Sequence, residues 1–238
     1  MNAFPALETV YYDGWVIRMS DGKTKRVNSV YSIYPSTINI EEKIEVCEKI
    51  YTENGLRTVF KLTDQETCNG MDGFLRSKGY SEGGRTLIKT MDLREHSYKT
   101  EHDFEYLTDF SRDWYRDLCD ADNRSAIDRK VVAEAWKKVV PNQCYISYRL
   151  DGKRIAFGRG VMENGFIGIY GIFINQKYRG KGYGELLTNE LLAYGKRGGC
   201  TTAYLQVEKP NDVARNLYNK IGFTEIYQYW YLLKELGG

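Results

Sequence analysis

The sequence predicts a mixed α/β fold in which helices flank a mainly antiparallel sheet. Three β-rich runs follow one another between residues 143 and 174, separated by the pairs Asp151-Gly152 and Asn164-Gly165. Such pairs are strong signals for two-residue hairpins, so the three runs are expected to form an antiparallel meander. On both sides of the meander, apolar residues recur at helical spacing, which adds flanking helices to the sheet.

In the second half of the chain, the predicted order is two helices, three strands, and then helix, strand, helix and strand. The leading helices fall near Asp103–Asp117 and Asp128–Val139, and Pro141 stops the second one. After the meander, a helix over Leu186–Lys196 precedes a buried strand in TTAYLQV. DVARNLYNK then forms a short helix that ends at Gly222, and FTEIYQYWYLLK forms the last strand.

The first half predicts strands in GWVIRM and KRVNSVYSIY, a helix near Ile40–Glu53, and a strand in RTVFKLT. A short helix near Met71–Lys78 and a strand in TLIKTMDL complete this half. The end of this half resembles the end of the other half. Gly55 and Gly79 are 24 positions apart, and the corresponding Gly199 and Gly222 are 23 apart.

This similarity indicates a weak internal repeat, although two unrelated strand–helix–strand pieces would also look alike. We therefore expect two similar units, residues 1–95 and 96–238. Because no low-complexity linker separates them, the boundary near Arg94–Glu101 is soft.

The composition is that of an ordinary globular protein. The chain has 238 residues, of which 42% are apolar and 28% charged, and it is long enough to bury a core without disulfides or metals. Lys and Arg number 34 against 32 Asp and Glu, so no strong overall field favours nucleic acid or an anionic membrane as a partner. Binding with a steep salt dependence would reverse this expectation for nucleic acid.

The cysteine and histidine content narrows the chemistry. The five cysteines are odd in number and never closely spaced, and the sequence shows neither a secretory start nor an apolar run of spanning length, which predicts a reducing cytoplasm. Only His96 and His102 are present, and CxxC, HExxH and GxSxG patterns are missing. We therefore expect no metal centre, and we expect acid and base groups from Tyr, Glu, Asp or the backbone.

The stretch YRGKGYGELL places three glycines, Gly180, Gly182 and Gly184, between a strand and a helix. Each glycine in a helical turn costs about 1 kcal/mol relative to alanine, so the stretch is expected to need room that side chains would fill. Free N–H groups and the positive dipole end at the helix N-terminus favour a phosphate there. Lys177, Arg179 and Lys181 add charge-assisted contacts, while a flexible turn with solvated cations is the alternative.

Two motifs carry a resemblance to a known family. Arg179-x-x-Gly182-x-Gly184 resembles the (R/Q)-x-x-G-x-(G/A) phosphate loop of the GNAT superfamily of acyl-CoA N-acyltransferases. NDVARNLYNKIGF resembles the family's second motif, N-x-x-A-x-x-L-Y-x-x-x-G-F. The matching residues are Asn211, Ala214, Leu217, Tyr218, Gly222 and Phe223. The resemblance covers roughly residues 100–234 and implies a GNAT-type fold. In contrast, Lys181 is followed by glycine rather than the Ser or Thr of a P-loop.

The resemblance also implies a binding mode for acetyl-CoA. The strand backbone at Ile172–Ile174 pairs with the pantetheine arm, the loop holds the pyrophosphate, and Asn211 contacts the cofactor. The implied cofactor-binding residues are Ile172, Phe173, Ile174, Arg179, Gly180, Lys181, Gly182, Tyr183, Gly184 and Asn211. Tyr218 corresponds to the family tyrosine that protonates the departing thiolate, a role that suits a phenol that is neutral at pH 7. Simple packing beside Leu217 is the alternative role for Tyr218.

The implied reaction is a direct attack of a neutral amine on the thioester, with the carbonyl oxygen held by a backbone N–H near Phe173. An alkylammonium must first lose a proton, which requires a base. Gly168 stands where some family members have a strand glutamate. Glu208, which shares a strand face with Gln206, is the first candidate for the base, whereas Glu163 is expected to be a solvated turn residue.

The first half has no glycine loop before its helix at Glu41, and Arg76 stands where Tyr218 would be. We therefore expect a degenerate first unit and a competent second unit. The expected function is acetyl transfer from acetyl-CoA to a primary amine of a small molecule or a peptide. The alternative is a non-catalytic acyl-CoA-binding or regulatory module. The sequence identifies neither the acceptor nor the oligomeric state.

Overall fold

The computed structural model describes residues 1–21, 24–64, 70–95 and 103–236. Helices and strands follow one another along the chain with these bounds: β1 (Glu8–Tyr12), β2 (Trp15–Met19), β3 (Ser29–Ser32), α1 (Ile40–Glu53), β4 (Thr58–Thr63), α2 (Met71–Ser77), β5 (Ser81–Asp92), β6 (Phe104–Leu107), α3 (Arg112–Ala121), α4 (Ala126–Lys137), β7 (Asn142–Leu150), β8 (Lys153–Glu163), β9 (Phe166–Ile174), α5 (Tyr183–Arg197), β10 (Thr202–Glu208), α6 (Asp212–Ile221) and β11 (Thr224–Lys234).

The chain divides into two compact units that are not continuous in sequence. The larger unit comprises Met1–Pro5 and Ile88–Ile226, and the smaller unit comprises Ala6–Leu87 and Tyr227–Gly238. Strands β5 and β11 therefore contribute residues to both units. The sequence places the boundary near residue 95, in a stretch that includes residues outside the described part of the chain. That the two halves are a degenerate and a competent copy of one ancestor stays a prediction.

The smaller unit is a sheet with the strand order β1-β2-β3-β4-β11. Its pairs are antiparallel except for β3 and β4, which are parallel. One face of this sheet packs against α1 and α2, and its core includes the fully buried Trp15, Ile17 and Phe60. The same face takes every second residue of β2 and β4, as expected for strands that bury one side.

In the smaller unit, the carboxylate of Asp13 stabilises the loop that precedes α1. Asp13 accepts hydrogen bonds from the backbone N–H groups of Thr37 (2.9 Å) and Ile38 (3.1 Å). It also accepts from the Thr37 hydroxyl, and it forms an ion pair of 2.9 Å with the fully buried Lys43. The Thr37 hydroxyl and the Lys43 ammonium together hold the pKa of Asp13 well below its usual range.

The larger unit contains the strand order β5-β10-β9-β8-β7-β6. Strands β6 to β9 form an antiparallel meander, and β10 runs parallel to β9. The hairpin predictions are confirmed in detail: Asp151 and Gly152, and likewise Asn164 and Gly165, all have positive φ, as a type I′ turn requires. Helices α3 and α4 pack around Trp114 and Trp136.

The predicted helix near Asp103–Asp117 is wrong in its first part. Phe104–Leu107 forms β6, which pairs with residues 145–148 of β7, and α3 begins only at Arg112 with Ser111 as its cap. Four residues are too few for an alternating pattern to outweigh helical spacing in a sequence window. The sequence also missed β1, whereas α1, α2, α5 and α6 are confirmed near their predicted positions.

The two halves share one order of elements. The run α1, Gly55, β4, α2, Gly79, β5 parallels the run α5, Gly199, β10, α6, Gly222, β11. All four glycines adopt the left-handed conformation, with φ between 66° and 114°. The chain reversals after these helices are therefore alike in both halves, as the spacing of the glycines predicts.

The five cysteines of the sequence are at positions 47, 68, 119, 144 and 200. Cys68, His96 and His102 lie outside the described residues. The four described cysteines are buried and free. In the described part of the chain, no helix combines the length and the apolar character needed to cross a membrane.

Candidate cofactor-binding site

A pocket of about 590 Å³ opens in the larger unit where the end of β9, the loop before α5 and the helix α6 meet. All of the predicted cofactor-binding residues except Lys181 line it, and so does Tyr218. The two motifs are about 30 residues apart in sequence. The fold brings them to one cavity because β10 lies beside β9 and returns the chain to the start of α6.

Glycine is required at the three positions of the loop for two different structural reasons. Gly180 and Gly182 adopt φ of 73° and 85°, which residues with a side chain rarely adopt, and a Cβ at either position would meet no atom within 4 Å. Gly184 lies inside α5, where a Cβ would approach Leu217 Cδ2 of α6 at 3.2 Å. The first two glycines therefore shape the turn, and the third lets two helices approach closely.

The N-terminus of α5 faces this pocket with its backbone. Gly182 is the residue before the helix, and no side chain in the described part of the chain caps the first turn. The N–H groups of that turn lack intrahelical partners, and the helix dipole adds positive potential at the same end. The arrangement is chemically suited to the oxygens of a phosphate or pyrophosphate.

Strand β9 contains a bulge close to the loop that precedes α5. Phe157 pairs with Phe173 and Arg159 with Tyr170, so two residues of β9 oppose one of β8, and Gly171 at the bulge has φ of 60°. The parallel pairing with β10 covers only residues 166–169 of β9. Beyond Ile169 the backbone of β9 leaves the ladder with β10, and its polar groups can therefore pair with an extended ligand.

Tyr218 lies on α6 and is only 8% exposed. Burial raises the pKa of its hydroxyl to about 12, so the phenol is protonated throughout the neutral range. The Phe223 ring meets the Tyr218 ring edge-on, with 6.0 Å between centroids, and fixes its orientation. Tyr218 therefore lines the pocket as a neutral phenol, which can donate a hydrogen bond at pH 7.

Asn211 begins α6 and is held by the helix. Its side-chain oxygen accepts a hydrogen bond of 3.1 Å from the Ala214 N–H, which is the usual interaction of an N-cap. The amide nitrogen of the side chain is the group that Asn211 can offer to a ligand.

The three cations of the loop differ in position. Arg179 donates from Nε to the Ile174 carbonyl (3.1 Å), and its guanidinium lies 5.8 Å from the centre of the Phe173 ring. All three residues are exposed, but Arg179 lines the pocket, whereas Lys177 and Lys181 do not. Arg179 is therefore the cation that the structure holds against the pocket wall.

Neither carboxylate considered from the sequence lines the pocket. Glu208, the last residue of β10, is exposed, although its backbone carbonyl accepts from the Asn211 N–H at 3.0 Å. Glu163 is also exposed and accepts a hydrogen bond of 2.7 Å from Asn2. The role of Glu208 as a base stays a prediction that this geometry does not favour.

The sequence reasoning missed a pair of tyrosines at Gly168. The hydroxyls of Tyr170 and Tyr204 are 2.7 Å apart, and their rings are nearly perpendicular. A Cβ at Gly168 would lie 2.6 Å from Tyr204 Cζ and 2.7 Å from Tyr170 Cε2. The alternation of Gly168 with Tyr170 along one strand was the available signal, because residues two apart share a face. In the described part of the chain, no cluster of His, Cys, Asp and Glu is arranged to hold a metal.

Comparisons with known proteins indicate a family and a fold. The sequence model of the acetyltransferase (GNAT) family matches residues 99–223. The uncharacterized N-acetyltransferase YobR of Bacillus subtilis (strain 168) is 24% identical over 225 residues, which cover 92% of this chain and 90% of that protein.

Two solved structures show the same fold. A GCN5-related N-acetyltransferase from Kribbella flavida superposes with a TM-score of 0.70 at 17% identity, covering 98% of this chain and 91% of that one. A tandem GNAT protein from the clavulanic acid biosynthesis pathway superposes with a TM-score of 0.62 at 11% identity, covering 80% and 68%. The likeness confirms the predicted fold class, a mixed sheet flanked by helices.

Proposed function

The chain belongs to the acetyltransferase (GNAT) family, and we propose that it transfers an acetyl group from acetyl-CoA to a primary amine of a small molecule or a peptide. The observation that supports this proposal is that one pocket is lined by Arg179, Gly182 and Gly184 of the loop and also by Tyr218. An anion-binding helix end and a neutral proton donor thereby share one cavity. Acetyl-CoA, when bound, supplies a thioester that an amine can attack directly.

The residues present fit such a ligand. The uncapped first turn of α5 and the left-handed Gly182 offer backbone N–H groups to the pyrophosphate. Arg179 adds a charge-assisted contact from the same loop. The backbone of Ile172–Ile174, which leaves the ladder with β10, takes the amide groups of the pantetheine arm. Asn211 adds a side-chain donor from the start of α6.

Tyr218 is the proposed proton donor to the departing sulfur. Its hydroxyl is neutral at pH 7 because burial raises its pKa to about 12. A general acid has to hold its proton until negative charge develops on the leaving group, and a buried phenol meets that condition. Ile172 and Phe173 line the same cavity beside the bulge, and a backbone N–H near Phe173 is the proposed donor to the carbonyl oxygen.

A thioester-consumption assay with a broad panel of amines tests the proposal. We expect amine-dependent release of coenzyme A by the wild-type chain, at a rate that Tyr218→Phe lowers while acetyl-CoA still binds. Binding without turnover on any amine would favour a non-catalytic acyl-CoA-binding module. Failure of the purified chain to bind acetyl-CoA would overturn the proposal altogether.

A further inference from the structure

Helices α3 and α4 of the larger unit form a groove between them. Residues four apart share one face of a helix, and this spacing aligns Arg112 with Arg116 on α3 and Arg129 with Lys137, two turns apart, on α4. The helices run antiparallel, because the Cys119 carbonyl near the end of α3 accepts a hydrogen bond of 3.1 Å from Arg129 near the start of α4. The two faces together line a pocket of about 260 Å³.

The floor of this groove is mainly apolar. It consists of the side chains of Phe110, Tyr115, Cys119 and Ala133. The Trp136 ring meets the Tyr115 ring edge-on, with 5.3 Å between centroids, and the Tyr115 hydroxyl donates a hydrogen bond of 3.0 Å to the Arg129 carbonyl. Because its hydroxyl is engaged in this way, Tyr115 contributes mainly the carbon atoms of its ring to the groove.

The charged residues of the two helices are segregated by sign around this floor. Helices α3 and α4 carry five basic and five acidic residues. Four of the basic residues line the groove, namely Arg112, Arg116, Arg129 and Lys137. None of the five acidic residues, all of which lie in the described part of the chain, does so. The rim of the groove is therefore positive, although the two helices together are neutral.

Arg129 has a structural role at the far end of the groove. Its guanidinium donates to two backbone carbonyls, one in α3 and one in the loop after it, and forms an ion pair of 2.5 Å with Asp120. The cations left for a partner are Arg112, Arg116 and Lys137. They lie towards the other end, where the Lys137 ammonium is 5.8 Å from the centre of the Phe110 ring.

These three cations are available to an incoming carboxylate. Arg116 pairs with Asp113 (2.8 Å) and Lys137 with Glu134 (2.6 Å), in each case three positions away on the same helix. The side chains of Arg116 and Lys137 are 60% and 37% exposed, and exposed pairs of this kind contribute little to stability. Within the described residues, no carboxylate forms an ion pair with Arg112. A partner's carboxylates therefore compete only with weak local pairs.

We propose that this surface, here called the α3–α4 groove, docks an acidic peptide segment of a partner protein, which inserts one large apolar side chain. The volume lies below the roughly 300–1,000 Å³ of pockets for whole small molecules, and it suits a single anchoring side chain. Carboxylates next to the anchor pair with Arg112, Arg116 and Lys137. None of the described residues lines both this groove and the cofactor pocket, so the proposal is independent of acetyl transfer.

Fluorescence anisotropy with the full chain and a labelled peptide, Glu-Glu-Phe-Glu-Glu with both termini blocked, tests the proposal. We expect saturable binding that weakens as the salt concentration rises, because salt screens exposed charges. A peptide with Gly in place of Phe, and one with Lys in place of every Glu, should each bind at least tenfold more weakly. No saturable binding of the acidic peptide, or equal binding of either control peptide, would overturn the proposal.

Substitutions in the groove give the second measurement. Arg112→Gln and Lys137→Gln should each weaken peptide binding at least threefold, and Ala133→Glu, which places a carboxylate on the floor, should abolish it. Lys130→Gln is the matched control, because Lys130 is an exposed residue of α4 that does not line the groove. Gln and Lys favour a helix about equally, so the fold should be retained. Equal losses in Lys130→Gln and Lys137→Gln would overturn the proposal, since only overall charge would then matter.

Photo-crosslinking locates the bound peptide. With benzoylphenylalanine in place of Phe, mass spectrometry should find the crosslink on the residues that line the groove, and crosslinks confined to other elements would overturn the proposal. Two other occupants have their own signatures. A dimer in sedimentation that Ala133→Glu abolishes would indicate a second copy of this chain, and binding to phosphatidylserine vesicles that Ala133→Glu abolishes would indicate a membrane surface. Either result without peptide binding would overturn the proposal in favour of that occupant.

Discussion

Gly168 is constrained by its neighbours and not by its own backbone. The rings of Tyr170 and Tyr204 fill the space that a side chain at this position would occupy. A glutamate there, as the family resemblance suggests for other members, would require the Tyr204 ring to move. Beside Gly168, the groups that can exchange a proton are therefore the phenol hydroxyls of Tyr170 and Tyr204.

At Tyr218, one substitution can distinguish the packing role of the ring from the chemical role of the hydroxyl. Tyr218→Phe keeps the ring that meets Phe223 and removes only the hydroxyl. We expect kcat to fall about 10²-fold, the lower end of the range for general acid catalysis, with little change in acetyl-CoA affinity. Steady-state rates under conditions where chemistry limits turnover, together with calorimetric titration of acetyl-CoA, provide the measurement. Unchanged turnover would assign Tyr218 a purely structural role.

At the scale of elements, the loop before α5 combines a required backbone conformation with an open, uncapped helix end. Residue 182 needs positive φ, and among residues with side chains Asn and Asp tolerate that region best. The two substitutions are similar in shape and differ in charge. Their comparison therefore isolates the electrostatic part of anion binding from the shape of the turn.

We expect Gly182→Asp to weaken coenzyme A binding by at least tenfold relative to Gly182→Asn, because a carboxylate at this helix end repels the pyrophosphate. Both variants should keep the circular dichroism spectrum of the parent. The measurement is calorimetric titration of coenzyme A into each protein. Affinities of Gly182→Asp and the parent within twofold, a difference under roughly 0.5 kcal/mol, would contradict the anion-site assignment.

An ion pair and hydrogen bonds of Glu105 connect the short strand β6 to neighbouring elements of the larger unit. Glu105 accepts hydrogen bonds from Arg154 (2.5 and 2.6 Å) and from the Ser147 hydroxyl (2.7 Å). Chiefly through Arg154, these contacts lower the pKa of Glu105 to about 2. Arg154 also forms an ion pair of 2.6 Å with Asp117, so strand β6 and helix α3 share one guanidinium.

The lowered pKa of Glu105 predicts a pH dependence of stability. The native carboxylate is stabilised above the unfolded pKa of about 4.3, and this contribution is lost as pH falls towards the folded value of about 2. Glu105→Gln should lower the free energy of unfolding at pH 7 by roughly 1–3 kcal/mol and flatten its decline between pH 5 and 2. Urea denaturation at a series of pH values measures both. Parallel pH profiles for the variant and the parent would contradict the assignment.

At the scale of the whole molecule, local signals in the sequence predicted most elements. The hairpins at Asp151-Gly152 and Asn164-Gly165, and the helices α1 and α5, depend on neighbouring residues only, and the phosphate-loop motif includes its own helix start. The pairing of strands that are far apart in sequence could not be predicted from such local signals. Strand β6 exists because β7 lies beside it, and β11 passes from one unit to the other, which no window of sequence encodes. The exposure of Glu208 likewise depends on where β10 ends.

The order of elements in both halves predicts the binding stoichiometry. The helix of the first half that corresponds to α5 is α1, whose first turn is capped by the Asn39 side chain, whereas α5 begins after the left-handed Gly182 and has no side-chain cap. We expect acetyl-CoA to saturate at one equivalent per chain in an equilibrium titration, and Gly182→Asp to abolish that single transition. Two equivalents of similar affinity would contradict the idea of a degenerate first half.

Asp13 extends this consequence to regulation. In the loop before α1, the Asp13 carboxylate already occupies the anion-binding groups of Thr37, Ile38 and Lys43. Because this carboxylate is part of the chain, an anionic ligand would have to displace it in order to bind there. We therefore expect no second molecule of acetyl-CoA to bind at the loop before α1, and we expect a hyperbolic saturation curve with a Hill coefficient of one. A sigmoidal equilibrium binding curve for acetyl-CoA would contradict this expectation and point to coupled sites in associated chains.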